Sequence, residues 1–283
     1  TIIGGAAGSA LLGPENVIVG TYAGDALTTS SGSVVIGNNA LTTATTDKYG
    51  VAIGFEAMKL TPAGLALETT IAIGYRAMYG SGNTTSGISG NVAIGSSAGY
   101  TITSGGNNVF VGYNAALNVT AGSKNVIVGR HAGRNLYSGS EDTYIGYGAG
   151  YYATGSYNTF VGSEAGKGGT TSAPFSSGQW NTAIGYYAMK GMTTAVSNVA
   201  VGGAALQDIT TATSNVAVGL SAGENVTTGN YNTLVGRQAG LTMTDTTNTV
   251  LIGSFAGDAI NSTGANGTVA IGSSALSALT SGA

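Results

Sequence analysis

The sequence predicts an all-β fold, a parallel β-solenoid of about 16 coils. Three observations lead to this prediction. An Ile/Val-Gly pair recurs sixteen times, most copies lying 17 residues apart, and β-branched residues precede each pair. The chain has 49 glycines but only 3 prolines, which excludes collagen and proline-rich linkers. No copy could bury its apolar face alone, so neighbouring copies must stack.

The repeat is counted from the glycine of each Ile/Val-Gly pair. The residue before this glycine is Ile or Val, the residue three before it is Val, Ile or Thr, and the residue three after it is Ala. Asn or Asp stands four residues before it in ten of fifteen copies. The repeat glycines are Gly4, Gly20, Gly37, Gly54, Gly74, Gly95, Gly112, Gly129, Gly146, Gly162, Gly185, Gly202, Gly219, Gly236, Gly253 and Gly272.

The copies cover almost the whole chain, so the sequence predicts a single domain, residues 1–283, without a linker. Four spacings between repeat glycines exceed 17 residues. Loops that leave the solenoid are therefore expected near residues 59–70, 79–90, 167–180 and 258–268. Because the chain starts at Thr1 without an initiator Met, we expect it to be a segment of a longer fibre protein.

Each copy resolves into two short strands joined by turns. The first is a β-branched run such as residues 125–128, closed by Gly129. The second is a polar, apolar, polar triplet such as residues 101–103. A helical interpretation fails, because apolar residues do not recur at helical spacing and each interior glycine would cost a helix about 1 kcal/mol.

Composition excludes several classes of protein. Nine Lys and Arg residues against twelve Asp and Glu residues, scattered along the chain, argue against binding to nucleic acid or to an anionic membrane surface. The sequence contains no run of about 18 apolar residues that could span a bilayer. The absence of cysteine excludes disulfide scaffolds and thiolate metal sites.

The first strand predicts how chains associate. It has a middle column, two residues before the repeat glycine, and two outer columns, one and three residues before it. We expect the outer columns to point into the coil and the uncharged middle column to point out, where sister chains would cover it in a closed homo-oligomer. The residues expected at this axis are Ile18, Phe110, Ile127, Tyr144, Phe160, Leu234 and Leu251.

The repeat resembles two related groups of proteins. The pattern N-[VT]-x-[IV]-G-x-x-A is similar to the heads of trimeric autotransporter adhesins. The fuller form with a following Gly or Leu, seen at residues 158–166 and 232–240, resembles repeats in bacteriophage tail fibres. The resemblance implies a left-handed solenoid wound as a homotrimer, in an extracellular fibre such as a virion tail fibre.

Residues suited to catalysis are few. His131 is the only histidine, and we expect it to be an exposed corner residue. Glu141 and Asp142 are more consistent with a turn and a substitute for the column's Asn than with a carboxylate pair for glycoside cleavage. The asparagine column is expected to be structural, because Asn tolerates left-handed backbone in a turn and its side-chain amides can hydrogen-bond in a stack. The sequence thus predicts no enzyme, no catalytic residue, no metal site and no cofactor.

Receptor binding is the chemistry that the sequence favours most. Aromatic residues near loops on a rigid scaffold can stack on sugars or pack against a protein receptor. The candidate residues are Phe175, Trp180, Tyr186 and Tyr187. An alternative is that Phe175 and Trp180 only anchor their loop to the coil.

Together these features predict a structural and adhesive fibre segment that contributes to host attachment by multivalent contacts with a cell-surface glycan or protein receptor. A phage tail fibre is the first hypothesis. The head of a bacterial trimeric surface adhesin is the second, which would place the chain on the bacterial cell surface. A solenoid glycan hydrolase is a distant third.

Overall fold

The computed structural model describes residues 1–60, 67–80, 87–169, 175–261 and 263–279. The chain divides into two compact units, Thr1–Glu141 and Asp142–Ala283. Among the described residues the only helical element is the 3₁₀ turn Thr263–Ala265. Nowhere in those ranges is there a helix of the length and apolar character needed to cross a membrane.

The first unit is a parallel solenoid. Its strands β1, β2, β3, β5, β7, β8, β9 and β10 follow one another in a parallel sheet, and β4 pairs with β6. Equivalent repeat positions pair, as Phe110 does with Ile127. The ten strands are β1 (Ile2–Ile3), β2 (Val17–Val19), β3 (Val34–Ile36), β4 (Asp47–Lys48), β5 (Val51–Ile53), β6 (Leu67–Glu68), β7 (Ile71–Ile73), β8 (Val92–Ile94), β9 (Val109–Val111) and β10 (Val126–Val128).

The second unit is built in the same way. Its eight strands pair in parallel and in chain order, and the register holds where the repeat spacing is long, since Phe160 pairs with Ala183. The predicted all-β parallel solenoid is therefore confirmed, while the single domain over residues 1–283 stays a prediction. The strands are β11 (Thr143–Ile145), β12 (Thr159–Val161), β13 (Thr182–Ile184), β14 (Val199–Val201), β15 (Val216–Val218), β16 (Thr233–Val235), β17 (Val250–Ile252) and β18 (Val269–Ile271).

The four predicted loops lie only partly within the described residues. Positions 61–66, 81–86, 170–174 and 262 fall outside them. Of the described parts, Leu67–Glu68 forms β6 and Gln179 makes a parallel bridge to Val196. The chain therefore rejoins the regular coil next to these long spacings.

The middle column points into the coil, opposite to the orientation predicted from the sequence. The outer columns face outward, with Val17 38%, Ile145 39% and Val216 37% exposed. Side chains alternate between the two faces of a strand, so the sequence pattern fits either orientation, and the predicted orientation is wrong. The assignment of the seven middle-column residues to a trimer axis is therefore wrong, because their own chain buries them completely. Each of the seven is 0% exposed: Ile18, Phe110, Ile127, Tyr144, Phe160, Leu234 and Leu251.

The inside of each coil is filled by a complementary pair of positions. In most coils a large middle-column residue faces a glycine four residues after the repeat glycine, whereas a middle-column alanine faces Met or Leu; Phe110 with Ala116 and Val35 with Leu41 depart from this pattern. Where both are small, as at Ala217 and Gly223, a neighbouring coil fills the space, since a Cβ at Gly223 would lie 2.5 Å from Leu234 Cδ1. Complementary pairs are Tyr144 with Gly150, Phe160 with Gly166, Ala52 with Met58, Ala72 with Met78, Ala183 with Met189 and Ala200 with Leu206.

The predicted second strand is not a regular ladder. Residues 101–103 lie in turn and irregular backbone, although the central Ile102 is 1% exposed, as an inward-facing residue should be. Coils still bond to each other here, because the Thr103 amide donates to the Thr120 carbonyl at 2.9 Å. Only β4 with β6 and a few isolated bridges form parallel pairs on this side of the described coils.

The repeat glycine is required by the approach of the next coil. At Gly112 the backbone φ is +137°, and an added Cβ would lie 2.6 Å from the carbonyl oxygen of Gly129. Both the strained φ and the overlap exclude larger residues. Other corners accept side chains in left-handed backbone, as Tyr187 with φ 62° and Trp180 with φ 54° show.

The asparagine column is structural, as predicted. Asn108 donates from Nδ2 to Asn91 Oδ1 at 2.9 Å and to the Gly122 carbonyl at 2.9 Å, while its Oδ1 accepts from the Asn125 amide at 2.9 Å. The stacked amides thus bond one coil to the next. The left-handed residue of this turn is not the Asn itself but the residue before it, such as Asn107 with φ 61°.

Candidate functional site

The outer columns form an apolar sheet face in each unit, called here the outer-column face. In both units this face consists of Val, Ile and Thr side chains alone. Several of its side chains in the second unit keep more than a third of their surface exposed, as Ile184 does at 40% and Val218 at 38%, and the others are half-buried. No other segment of the described chain covers these residues. A flat β-branched face of this kind is a candidate interface with another protein surface.

The four predicted receptor-binding residues do not come together in one cluster. Trp180 is 55% exposed and stacks on Tyr157 at 5.7 Å, at the corner that precedes the strand. Tyr186 stacks on Tyr187 at 3.8 Å, at the corner that follows it. The side chains are thus distributed over separate corners, and their role in receptor binding stays a prediction.

Phe175 belongs to a third stack. Its ring lies 5.8 Å from Tyr152 with an interplanar angle of 14°, and the ring is only half-buried. This contact holds the described end of the loop against the coil, as the anchoring alternative predicts. It also places Phe175 next to a residue that lines a pocket.

The pocket lies in the second unit and has a volume of about 380 Å³. It spans four successive coils, those of β11, β12, β13 and β14. Its position follows from the residue six after the repeat glycine: this column carries Tyr152 and Asp208 at the two ends but glycine in the two coils between them. The two glycines leave this part of the column without side chains, whereas the column in the other coils carries Asn, Thr, Ala or Leu and one further glycine, Gly80. The lining residues are Tyr152, Lys167, Gly168, Gly169, Lys190, Gly191, Gln207 and Asp208.

Glu164 holds the two lysines of the pocket. Its Oε2 accepts from Lys167 Nζ at 3.0 Å and is paired with Lys190 Nζ at 3.3 Å. Burial acts to raise the pKa of Glu164, but hydrogen bonds and charge from the two lysines outweigh it, and the pKa falls below the ordinary value. Lys190 Nζ also lies 3.6 Å from the centre of the Tyr187 ring, a cation–π contact.

His131 is half-buried, so the prediction of an exposed corner residue is wrong. Its ring meets Tyr113 edge-on at 5.4 Å, and Arg130 Nε donates to its Nε2 at 3.3 Å. Burial lowers the pKa of His131, and the charges of Arg130 and Arg134 lower it further. The histidine is thus kept neutral within a corner cluster.

The two neighbouring acids have the structural roles predicted for them. Glu141 lies at a turn with φ 60° and pairs with Lys124 at 3.2 Å. Asp142 replaces an Asn of the column, and its Oδ1 accepts from the Asn158 amide at 2.8 Å. Burial raises the pKa of Asp142 to about 7. Within the described ranges no group of three or more His, Cys, Asp or Glu side chains could hold a metal ion.

Sequence reasoning missed the pocket residues Tyr152, Lys167, Lys190, Gln207 and Asp208. The signal was present, because aligning the copies on the repeat glycine places Lys167, Lys190 and Gln207 in one column. The same alignment shows two consecutive glycines, Gly168 and Gly191, in the next column. The predicted aromatic residues lie in and near the loop, whereas the pocket residues lie in the adjacent coils.

Comparison with protein-family models, with curated proteins and with solved structures gives no significant match.

Proposed function

We propose that the chain is a segment of a structural and adhesive fibre, assembled as a homotrimer through the outer-column face. The observation that carries this proposal is the exposure of that continuous face of Val, Ile and Thr side chains in a chain whose middle-column residues from Ile18 onward are buried. Sister chains meet at the outer columns, not at the middle column inferred from sequence.

The size of the face supports association. With strands about 4.8 Å apart and a face about 10 Å wide, the eight strands of each sheet present roughly 400 Å². Two units give roughly 800 Å² per chain, which a closed trimer divides between two neighbours, so each chain buries in total about as much as one partner does in a standard specific interface. The face is a uniform stripe, so copies of the same chain fit it by cyclic symmetry.

The adhesive part of the proposal rests on repetition. Backbone hydrogen bonds run from coil to coil, and exposed tyrosines such as Tyr75, Tyr113 and Tyr147 mark the corners. In a trimer each weak surface site occurs three times, so avidity multiplies modest affinities. This function suits an extracellular phage tail fibre that binds a host glycan or protein receptor, and a bacterial adhesin head is the alternative.

The test measures the number of chains in the assembly and then introduces positive charge into the proposed interface. Sedimentation equilibrium of the purified chain should give three times the chain mass of 27.6 kDa. Val216→Lys and Val218→Lys place an ammonium group on the outer-column face, and together they should convert the trimer to single chains. The matched control is Thr211→Lys, at an exposed position of the same coil away from this face.

A wild-type chain that sediments as a single copy at micromolar concentration would overturn the trimer. So would an unchanged trimer in the Val216→Lys/Val218→Lys variant, provided that its circular dichroism matches that of the wild type.

A further inference from the structure

We propose that the pocket lined by Tyr152, Lys190 and Asp208 is a binding site for a neutral pyranose sugar. The inference deepens the adhesive part of the proposed function, because it names the ligand class and the residues that recognise it. It does not depend on the trimer, since the whole pocket lies within one unit of one chain.

The pocket has the size and construction of a small-molecule site. Its volume of about 380 Å³ lies within the range of about 300 to 1,000 Å³ that is usual for such sites. Gly168 and Gly191 stand in the column between Tyr152 and Asp208, so no side chain projects from these two positions. A Cβ at Gly168 would lie 2.8 Å from Ser176 Oγ, so the packing around this glycine disfavours a larger residue.

One wall supplies an aromatic surface. Tyr152 is half-buried, and its ring contacts Tyr151 at a ring distance of 4.4 Å and an interplanar angle of 59° and stacks on Phe175 at 5.8 Å. A ring held by two aromatic neighbours loses little conformational freedom when a ligand packs against its remaining surface. A pyranose presents a face of C–H groups that suits such a ring, while its hydroxyl groups remain free for polar partners.

The polar groups of the pocket favour a ligand without net charge. Lys167 and Lys190 are both tied to Glu164, so much of their charge is already neutralised within the chain. Asp208 adds a carboxylate at the far end, beside the Gln207 amide that donates to it at 3.2 Å. An anion would face Asp208 and a cation would face the two lysines. Hydroxyl groups, in contrast, can donate to the carboxylate and accept from the amide and ammonium groups.

The experiment is a glycan array followed by titration of the full chain. The array carries neutral hexose and deoxyhexose oligosaccharides, uronic-acid and sialic-acid oligosaccharides, and sulfated oligosaccharides. A neutral oligosaccharide that binds is then titrated in solution by calorimetry. The variants are Tyr152→Ala and Asp208→Ala, with Gln207→Ala as a milder change. The matched control is Asn225→Ala, which alters the same column one coil beyond the pocket.

We expect binding to at least one neutral pyranose probe and an increase in Kd of at least about tenfold in Asp208→Ala and Tyr152→Ala, with no change in Asn225→Ala. Binding to acidic or sulfated probes alone would overturn the inference, as would no binding to any probe or neutral binding that survives all three pocket changes. Sedimentation of the same samples separates the two proposals: a trimer that binds no sugar refutes only the pocket, and a sugar-binding single chain refutes only the trimer.

Discussion

Gly150 lies against the ring of Tyr144 so closely that a Cβ on the glycine would be 2.5 Å from the Tyr144 Cδ2 atom. The glycine has φ 60°, yet Met189 adopts φ 51° at the equivalent position of another coil. Backbone conformation therefore does not exclude a side chain here. The ring does, because the interior of each coil has room for only one large group at this level.

Exchanging the two members of such a pair should preserve the fold. Phe160→Ala alone leaves a cavity and should lower the free energy of unfolding by about 3 to 5 kcal/mol. Gly166→Met alone should prevent stable folding, because a Cβ there would lie 2.5 Å from Phe160 Cγ. The double variant recreates the arrangement of Ala183 and Met189, and thermal unfolding followed by circular dichroism should show that it recovers most of the loss.

The control for these single and double variants is Ala183→Gly, which changes a residue of the same column but does not move a large side chain from one position to the other. Additive losses in the double variant would show that the two positions do not share one space.

The adjacent glycines Gly202 and Gly203 should respond very differently to alanine. Gly202 has φ +137°, and a Cβ there would overlap the carbonyl oxygen of Gly219. At Gly203 the nearest atom to a Cβ is Leu220 Cδ1, at 3.3 Å, which can move aside. We expect Gly202→Ala to abolish soluble folded protein and Gly203→Ala to leave the melting temperature within a few degrees of wild type. Equal melting temperatures would contradict the account of the repeat glycine.

The coil period, the parallel stacking and the role of the asparagine column all followed from spacing in the sequence. The orientation of the first strand did not, because alternation places either the middle or the outer columns inside. Uniform Val and Ile columns suit a flat surface as well as a core. The deciding signal was the complementarity of Tyr144 with Gly150 and of Ala183 with Met189, which only an inward middle column explains.

The candidate pocket could not be predicted from the sequence for a different reason. Its walls come from four coils, and it exists because Gly168 and Gly191 leave two successive coils without a side chain in one column. An absent side chain has no motif, whereas the aromatic residues Trp180 and Tyr186 are conspicuous. Their dispersal over two corners depends on left-handed turns that propensity does not predict.

Removing one member of the asparagine column should destabilise the stack of coils. Asn198 donates from Nδ2 to the Ala212 carbonyl at 2.9 Å, and its Oδ1 accepts from the Asn215 amide at 2.9 Å. Asn198→Ala leaves both buried groups without this partner and should lower the free energy of unfolding by about 2 to 4 kcal/mol. The control is Ser197→Ala at the exposed corner beside it. If both variants melt at the wild-type temperature, the ladder does not stabilise the stack.

One coil has a glycine in the asparagine column and places a carboxyl group from another position in the same space. Gly50 stands where the column has Asn, and a Cβ at Gly50 would lie 2.5 Å from Asp47 Oδ1. The Asp47 side chain is 1% exposed, and neither carboxylate oxygen has a partner of good hydrogen-bond geometry in the described residues. Burial raises the pKa of Asp47 to about 6, and the Ser33 hydroxyl and the amides of Lys48 and Gly50, which lack that geometry, oppose the rise only in part.

The raised pKa of Asp47 predicts that its burial weakens the fold as the pH increases. Well below pH 4 the group is protonated in both the folded and the unfolded chain and costs nothing electrostatically. Between the unfolded pKa of about 4 and the folded pKa of about 6 the unfolded chain ionises this acid while the folded chain keeps it protonated, so stability falls, and about 3 kcal/mol is lost by pH 7.5. Asp47→Asn removes this titration, so its melting temperature minus that of wild type should be greater at pH 7.5 than at pH 4.5. Because all other acids are common to both proteins, a difference that does not change with pH would show that folding does not raise the pKa of Asp47.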